Sequence, residues 1–344
     1  MDSMTQAALG ATLGGAVLSR PLGRKALIGG AVLGTLPDLD VLIDHGSAIA
    51  DFTYHRGFSH SLFVLAILAT CLAWLLRRLG PGGITLSRWW WFCALPLLTH
   101  PMLDAFTTYG TQLLWPLQSP PVAWNTIFII DPLYTLPLLV AAIIGLWRPP
   151  ARRAIATGLI LSSAYLGWTV VAKHIVAARV SPIMVEHHWQ DDAQLIQPMP
   201  LTSLLWRVVV RDGDTRREAY VSLLDAQPPR FDTFETGPWP EPMWPELKRL
   251  AWFTGGQLSF NTRMDNTLVA TDDRMGVPGH HPFRFAVARQ TEGGVTPIPS
   301  YTLDSASYNG AFIARVLKRI TDPSALCPAD DAPDETVRVR HCRP

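Results

Sequence analysis

The first half of the chain reads as long apolar segments separated by short polar connections. Stretches around 58–76, 89–106, 127–147 and 154–176 are apolar enough, at close to 20 residues each, to predict four membrane helices. A weaker pair, 5–18 and 26–43, precedes them and is interrupted at Arg20-Pro21. That pair is rich in small residues, Gly10, Gly14, Gly15, Gly29, Gly30 and Gly34, which suits close helix packing in a bilayer.

The pattern changes at about residue 180. Apolar β-rich runs at 204–210 and 219–224 flank Asp212-Gly213, a hairpin signal. Hairpin-like stretches follow at 257–271 and 283–297, and helical spacing occupies 243–253 and 305–320. The fold expected is therefore an α-helical multi-pass membrane bundle over 1–180 followed by a soluble α+β domain over 181–325. A polar tail, 326–344, is expected to be mobile.

Composition sharpens this division. Only 17% of the 344 residues are charged, against about 25% in a typical soluble domain. Residues 1–180 hold 12 of the 29 Lys+Arg and 7 of the 28 Asp+Glu, leaving 17 and 21 for the remainder. A formal net charge of +1 gives no support to nucleic-acid binding. Nine of the twelve basic residues fall in three short connections: Arg20, Arg24, Lys25; Arg77, Arg78, Arg88; and Arg148, Arg152, Arg153. By the positive-inside rule these connections face the cytoplasm. The acids of this half and the C-terminal domain then face outward across the inner (cell) membrane. Cys327 and Cys342 lie in the outward part, where the compartment permits a disulfide.

Polar residues collect at the outward helix ends. They are Asp38 and Asp40; His55, Arg56, Ser59, His60 and Ser61; His100 and Asp104; and Asp131, which reads as an acid at a helix N-terminus. Ionisable groups at membrane helices are costly and point to function. His100 and Asp104 are four apart and share one helix face. Imidazole and carboxylate together suit zinc or a similar divalent ion, which with an open position lowers the pKa of bound water to about 7. Asp38 or His55 is placed to orient a ligating imidazole instead of ligating. Arg56 can neutralise an anionic substrate such as a phosphodiester. Ser59 and Ser61 lack the G-x-S-x-G context of a serine hydrolase. His187-His188 and His280-His281 read as ordinary surface.

These motifs resemble a family, the YdjM/YbcI-type inner-membrane proteins, named as membrane-bound metal-dependent hydrolases. The resemblance rests on residues 1–10, Leu36-Pro37-Asp38-Leu39-Asp40, residues 55–61 (HRGFSHS), His100-Pro101-Met102-Leu103-Asp104, residues 107–111, Trp115-Pro116 and residues 131–134. The His-x-x-x-Asp element looks like one metal site of zinc-dependent phospholipase C. What the resemblance implies is a metal held by Asp40, His60, His100 and Asp104, with His55, Asp38 and Arg56 assisting catalysis. Asp2 and Gln6 stand where those enzymes carry further histidine, so one or two metals are implied. The substrate implied is a phosphoester or a lipid-derived molecule at the bilayer. The rival reading is a non-catalytic membrane protein with a structural metal or hydrogen-bond cluster. A transporter would need polar residues deeper within 62–76 and 154–172.

Overall fold

The computed structural model describes residues 1–291, 294–304, 308–330, 332 and 335–342, with Ala193 described by its backbone alone. It divides into two compact units. The first comprises residues 1–43 and 54–169, the second 44–53 and 170–344.

The first unit is helical: α1 (Ser3–Leu22), α2 (Arg24–Thr35), α4 (Leu62–Leu79), α5 (Leu86–Ala105), α6 (Pro132–Trp147) and the start of α7 (Arg152–Glu186). Between α2 and α4 the chain also forms α3 (Ala48–Tyr54). Local chemistry sets the helix ends. Asp2 caps α1 by accepting from the Thr5 amide, Ser61 caps α4, and Asp131 caps α6 by accepting from the amides of Leu133 and Tyr134. The second helix stops at Thr35 rather than near 43. Pro37 has no backbone N–H to donate to the carbonyl one turn back, and Leu36–Leu42 forms a 3-10 helix instead. Residues 127–130, expected as helix, precede the Asp131 cap and lie outside α6.

The glycines of α1 and α2 bring the two backbones together. A Cβ on Gly10 would collide with the carbonyl oxygen of Gly30, and one on Gly30 with that of Gly10; Gly14 meets Ala26 and Gly34 meets Gln6 in the same way. Only glycine permits this approach. Around the pair, Leu65, Ala69, Trp89, Phe92 and Leu97 build one core with Leu18 and Ala26.

Two helices, α4 and α7, are long and apolar enough to cross a membrane, and α6 is a shorter apolar helix. The most apolar 18-residue windows of α4 and α7 are only 17% and 22% buried. On α4, Ile67 and Leu79 are 66% and 77% exposed, so its apolar face is not a protein core.

The second unit contains two antiparallel sheets. β1 (Ala193–Pro198), β2 (Leu205–Asp212), β3 (Thr215–Ser222), β4 (Asp232–Glu235) and, at the far edge, β9 (Val337–Val339) make a five-stranded sheet ordered β1-β2-β3-β4-β9. β5 (Leu258–Thr262), β6 (Thr267–Asp272), β7 (Arg284–Thr291) and β8 (Gly294–Thr302) make a four-stranded meander. Helices α8 (Pro245–Thr254) and α9 (Gly310–Arg319) complete the unit. Residues 305–307, where a helix was expected to begin, lie outside the described residues. On one face of the first sheet Trp206, Val208, Val210, Ala219 and Val221 pack against Ala172, Val176, Val180 and Met184 of α7. The other face carries buried charge: Arg207 pairs with Glu218, and Arg216 with Glu218, Asp273 and Glu335.

Three features differ from the sequence expectations. The apolar helix does not end at about 180, because α7 continues through Arg179 and Pro182 and its residues from 170 onward belong to the second unit. Residues 44–53, assigned to the membrane half by sequence, also belong to the second unit. There Phe52 packs against Phe253, Phe283 and Phe285, and Arg249 donates to the side-chain and backbone oxygens of Thr53. The 326–344 tail is not a mobile appendage over its described residues. Its strand β9 pairs with β4, and a disulfide joins Cys327 to Cys342.

Candidate metal centre

Three elements of the first unit deliver four polar side chains to a common point. Asp38 comes from the 3-10 helix after α2, His60 from the short 3-10 helix Phe58–His60, and His100 and Asp104 from adjacent turns of α5. One ligand atom from each lies within 4.8 Å of all the others. His60, His100 and Asp104 are fully buried, while the Asp38 side chain is 20% exposed.

The protonation pattern of the two imidazoles follows from their partners. His100 Nδ1 lies 2.6 Å from the Gly34 carbonyl oxygen, so it must donate and carry the proton. Ser59 donates its hydroxyl proton to Asp40 Oδ2 at 2.5 Å, so the 2.9 Å bond between Ser59 Oγ and His60 Nδ1 is donated by His60. Both Nε2 atoms therefore turn inward. His60 Nε2 is 3.4 Å from Asp38 Oδ1 and 3.3 Å from Asp104 Oδ2. His100 Nε2 is 3.2 Å and 3.4 Å from the same two oxygens, and 3.2 Å from His60 Nε2.

Two carboxylate oxygens and two imidazole lone pairs cannot converge this closely without positive charge among them. Asp104 Oδ2 is buried and, among the described residues, has no hydrogen-bond donor. The spacing also fits a metal. A tetrahedron of ligands about 2.0–2.1 Å from its centre has six edges of about 3.3–3.4 Å; five of the separations here run from 3.2 to 3.4 Å, and the sixth, between the Asp38 and Asp104 oxygens, is within 4.8 Å. Nitrogen and oxygen donors without thiolate suit zinc or another divalent ion of similar size.

The set differs from the expected one at one position. Asp38 occupies the cluster, while Asp40 stands behind it. The Asp40 carboxylate accepts from Ser59 and from the Arg56 amide at 3.1 Å, and its Oδ1 lies 2.9 Å from His55 Nδ1. His55 is thus oriented by Asp40, with its side chain 21% exposed. Arg56 is buried; its guanidinium lies 3.5 Å from Asp104 Oδ1 and 4.8 Å from the centre of the Tyr109 ring.

Residues to which the motifs gave no supporting role surround the cluster. Gln6 donates to the His100 carbonyl and to Asp104 Oδ1, each at 3.2 Å, and the Met1 amine also pairs with Asp104. Thr107 donates to the Asp104 carbonyl at 2.7 Å, and the Gln112 amide to that of Arg56 at 3.0 Å. The conspicuous His-x-x-x-Asp spacing signals two members of the cluster, whereas Gln6 and Ser59 carry no such spacing. Asp2 and Asp131 cap helices and lie outside the cluster. His281, expected at the surface, is buried in the second unit, with Nδ1 donating to the Met275 carbonyl and Nε2 3.5 Å from Glu335.

Comparison with known proteins agrees with this part of the chain. The Escherichia coli (strain K12) inner membrane protein YbcI is 35% identical over 116 residues, which is 33% of this chain and 66% of YbcI, just under two thirds of its length. YfhP of Bacillus subtilis (strain 168) is 27% identical over 249 residues, 70% of this chain and 74% of that protein. No solved structure matches. The model of the YdjM inner membrane protein family matches residues 1–176, which contain every residue of the cluster, and the chain belongs to that family.

Proposed function

We propose that this chain is a multi-pass inner-membrane hydrolase that uses a divalent metal, zinc by donor type, held by Asp38, His60, His100 and Asp104. The observation that carries the reading is the buried convergence of four ligand atoms, five of their six separations lying at 3.2–3.4 Å. A metal bound there supplies Lewis acidity and a water acidified to near neutral pH. The chain's own residues supply the rest. The Asp40–His55 pair is built as an oriented acid–base, with Asp40 fixing the imidazole and His55 partly open to solvent. The Arg56 guanidinium stabilises anionic charge beside Asp104, which suits a phosphoester or lipid-derived substrate.

Membrane placement rests on the family, on the exposed apolar faces of α4 and α7, and on charge. Arg and Lys cluster at the α1–α2, α4–α5 and α6–α7 connections, and the metal-centre residues at opposite helix ends. With the basic connections in the cytoplasm, the site and the C-terminal domain face outward. The Cys327–Cys342 disulfide suits that oxidising side.

A second reading has its own support: four protein ligands can close a structural site. Against it stand the absence of thiolate from the donor set, the 20% exposure of Asp38 and the adjacent Asp40–His55 pair. Metal analysis of detergent-purified wild type and His100→Ala, paired with a hydrolysis assay on bis(p-nitrophenyl) phosphate and phospholipid, tests both. Stoichiometric metal and turnover in wild type, both lost in the variant, supports the hydrolase. Metal without turnover of any ester leaves the structural reading, and wild type without metal removes both.

A further inference from the structure

A cavity of about 250 Å³ opens in the first unit beside Asp40 and Ser59. Its walls are Leu36, Leu39 and Ile43 from the chain after α2, Phe58 before α4, and Val64 and Leu68 on α4. Its polar end is the Asp40–Ser59 hydrogen bond, which holds His60 on one side and His55 on the other. The groove therefore runs to within one side chain of the metal centre.

We propose that this groove binds one acyl chain of a bilayer lipid whose polar ester lies at the metal centre. The proposal rests on the hydrolase reading above and narrows its substrate to an amphiphile. Two observations select the occupant. Leu39, Ile43 and Phe58 are 55%, 47% and 50% exposed at the rim, and Val41 and Leu42 beside them are 70% and 80% exposed. An apolar surface of this kind calls for an apolar partner. The wall also continues into the exposed apolar face of α4 at Phe63 and Ile67, the helix suited to cross the membrane. A hydrocarbon chain can enter there from the bilayer without crossing water. A soluble phosphodiester needs the polar end alone and would leave the groove empty.

The test uses the full-length protein in phosphatidylethanolamine–phosphatidylglycerol vesicles containing a phospholipid with a photoreactive diazirine on one acyl chain. Cross-links concentrated in residues 36–43 and 58–68, and diminished in both Val64→Trp and Ile43→Trp, are expected. Ile43 is rim-exposed, so its variant guards against misfolding at Val64, and retained metal content confirms each fold. Phospholipid hydrolysis should fall about tenfold or more in both variants, the loss expected when two or more methylenes lose their site. Bis(p-nitrophenyl) phosphate hydrolysis should stay at the wild-type level. Cross-links spread evenly over α4 and unchanged by either tryptophan overturn the groove assignment. Concentrated cross-links in a protein that hydrolyses neither ester leave the acyl-chain site standing and overturn the hydrolase reading.

Discussion

Nε2 of His60 stands 3.2 Å from Nε2 of His100, and each ring has its other nitrogen committed as a donor, to Ser59 and to Gly34. Two lone pairs pointed at each other across that distance, with a carboxylate oxygen on either side, form a receptor for positive charge. The donors behind the rings matter as much as the ligands, because they fix the tautomer that presents the lone pairs.

The Ser59 hydroxyl should accordingly be worth about 10–100-fold in metal affinity, the usual effect of an outer hydrogen-bond partner. Ser59→Ala leaves all four ligands but frees His60 Nδ1 from its acceptor and Asp40 from a 2.5 Å donor. Competition with a chelator of known affinity measures it. A metal affinity equal to wild type would remove Ser59 from the site.

Close approach of α1 and α2 sets where Gln6 and Gly34 meet the centre. Gly30→Ala places a Cβ against the Gly10 carbonyl oxygen, which is backbone and cannot swing aside. A loss of about 1–3 kcal/mol is expected, as for other overpacked sites, and thermal unfolding in detergent reads it. Gly167→Ala, inside α7 and with nothing within 4 Å of its added Cβ, serves as the control and should unfold no earlier than wild type.

Acid should weaken the C-terminal domain through Glu335. Burial alone would raise its carboxyl pKa, but the Arg216 charge and the His281 contact outweigh burial and hold it well below its ordinary value of 4.5. A depressed folded-state pKa means the contribution is complete above about pH 4.5 and is lost as pH falls toward the folded value. Denaturant unfolding of wild type should therefore lose stability below that pH. Glu335→Gln should start less stable and show a shallower acid slope; equal slopes would mean that Glu335 does not contribute.

Orientation can be read from a cysteine placed at Leu224, which is 61% exposed in the second unit. In a Cys71→Ser, Cys93→Ser background, Leu224→Cys should react with a membrane-impermeant maleimide added to intact cells. Labelling only after lysis would place this domain in the cytoplasm and reverse the topology.

Much of this fold is legible without coordinates because its signals are local. Long apolar stretches mark α4–α6 and the Asp131 acid marks the start of α6, Asp212-Gly213 marks the β2–β3 turn, and the four-residue spacing of His100 and Asp104 puts both on one face. Asp38 and Asp40 are different. They sit two residues apart on a 3-10 helix, and which one faces the imidazoles depends on where α2 stops and how the chain turns there. No one-dimensional spacing encodes that rotation.

The same limit explains the other surprises. Strands β1, β4 and β9 are short or polar and exist through pairing with distant partners. Residues 44–53 join the second unit through Phe52 and Thr53, contacts made some 200 positions along the chain. What the amino-acid order alone determines is a charge-poor helical half with opposed basic and acidic ends, an α+β domain after it, and the His and Asp residues available for a site. Only the tertiary structure decides that Asp38 joins the cluster and Asp40 supports it. That choice is made by helix termination and by glycine-allowed packing acting together, and both are properties of the folded chain.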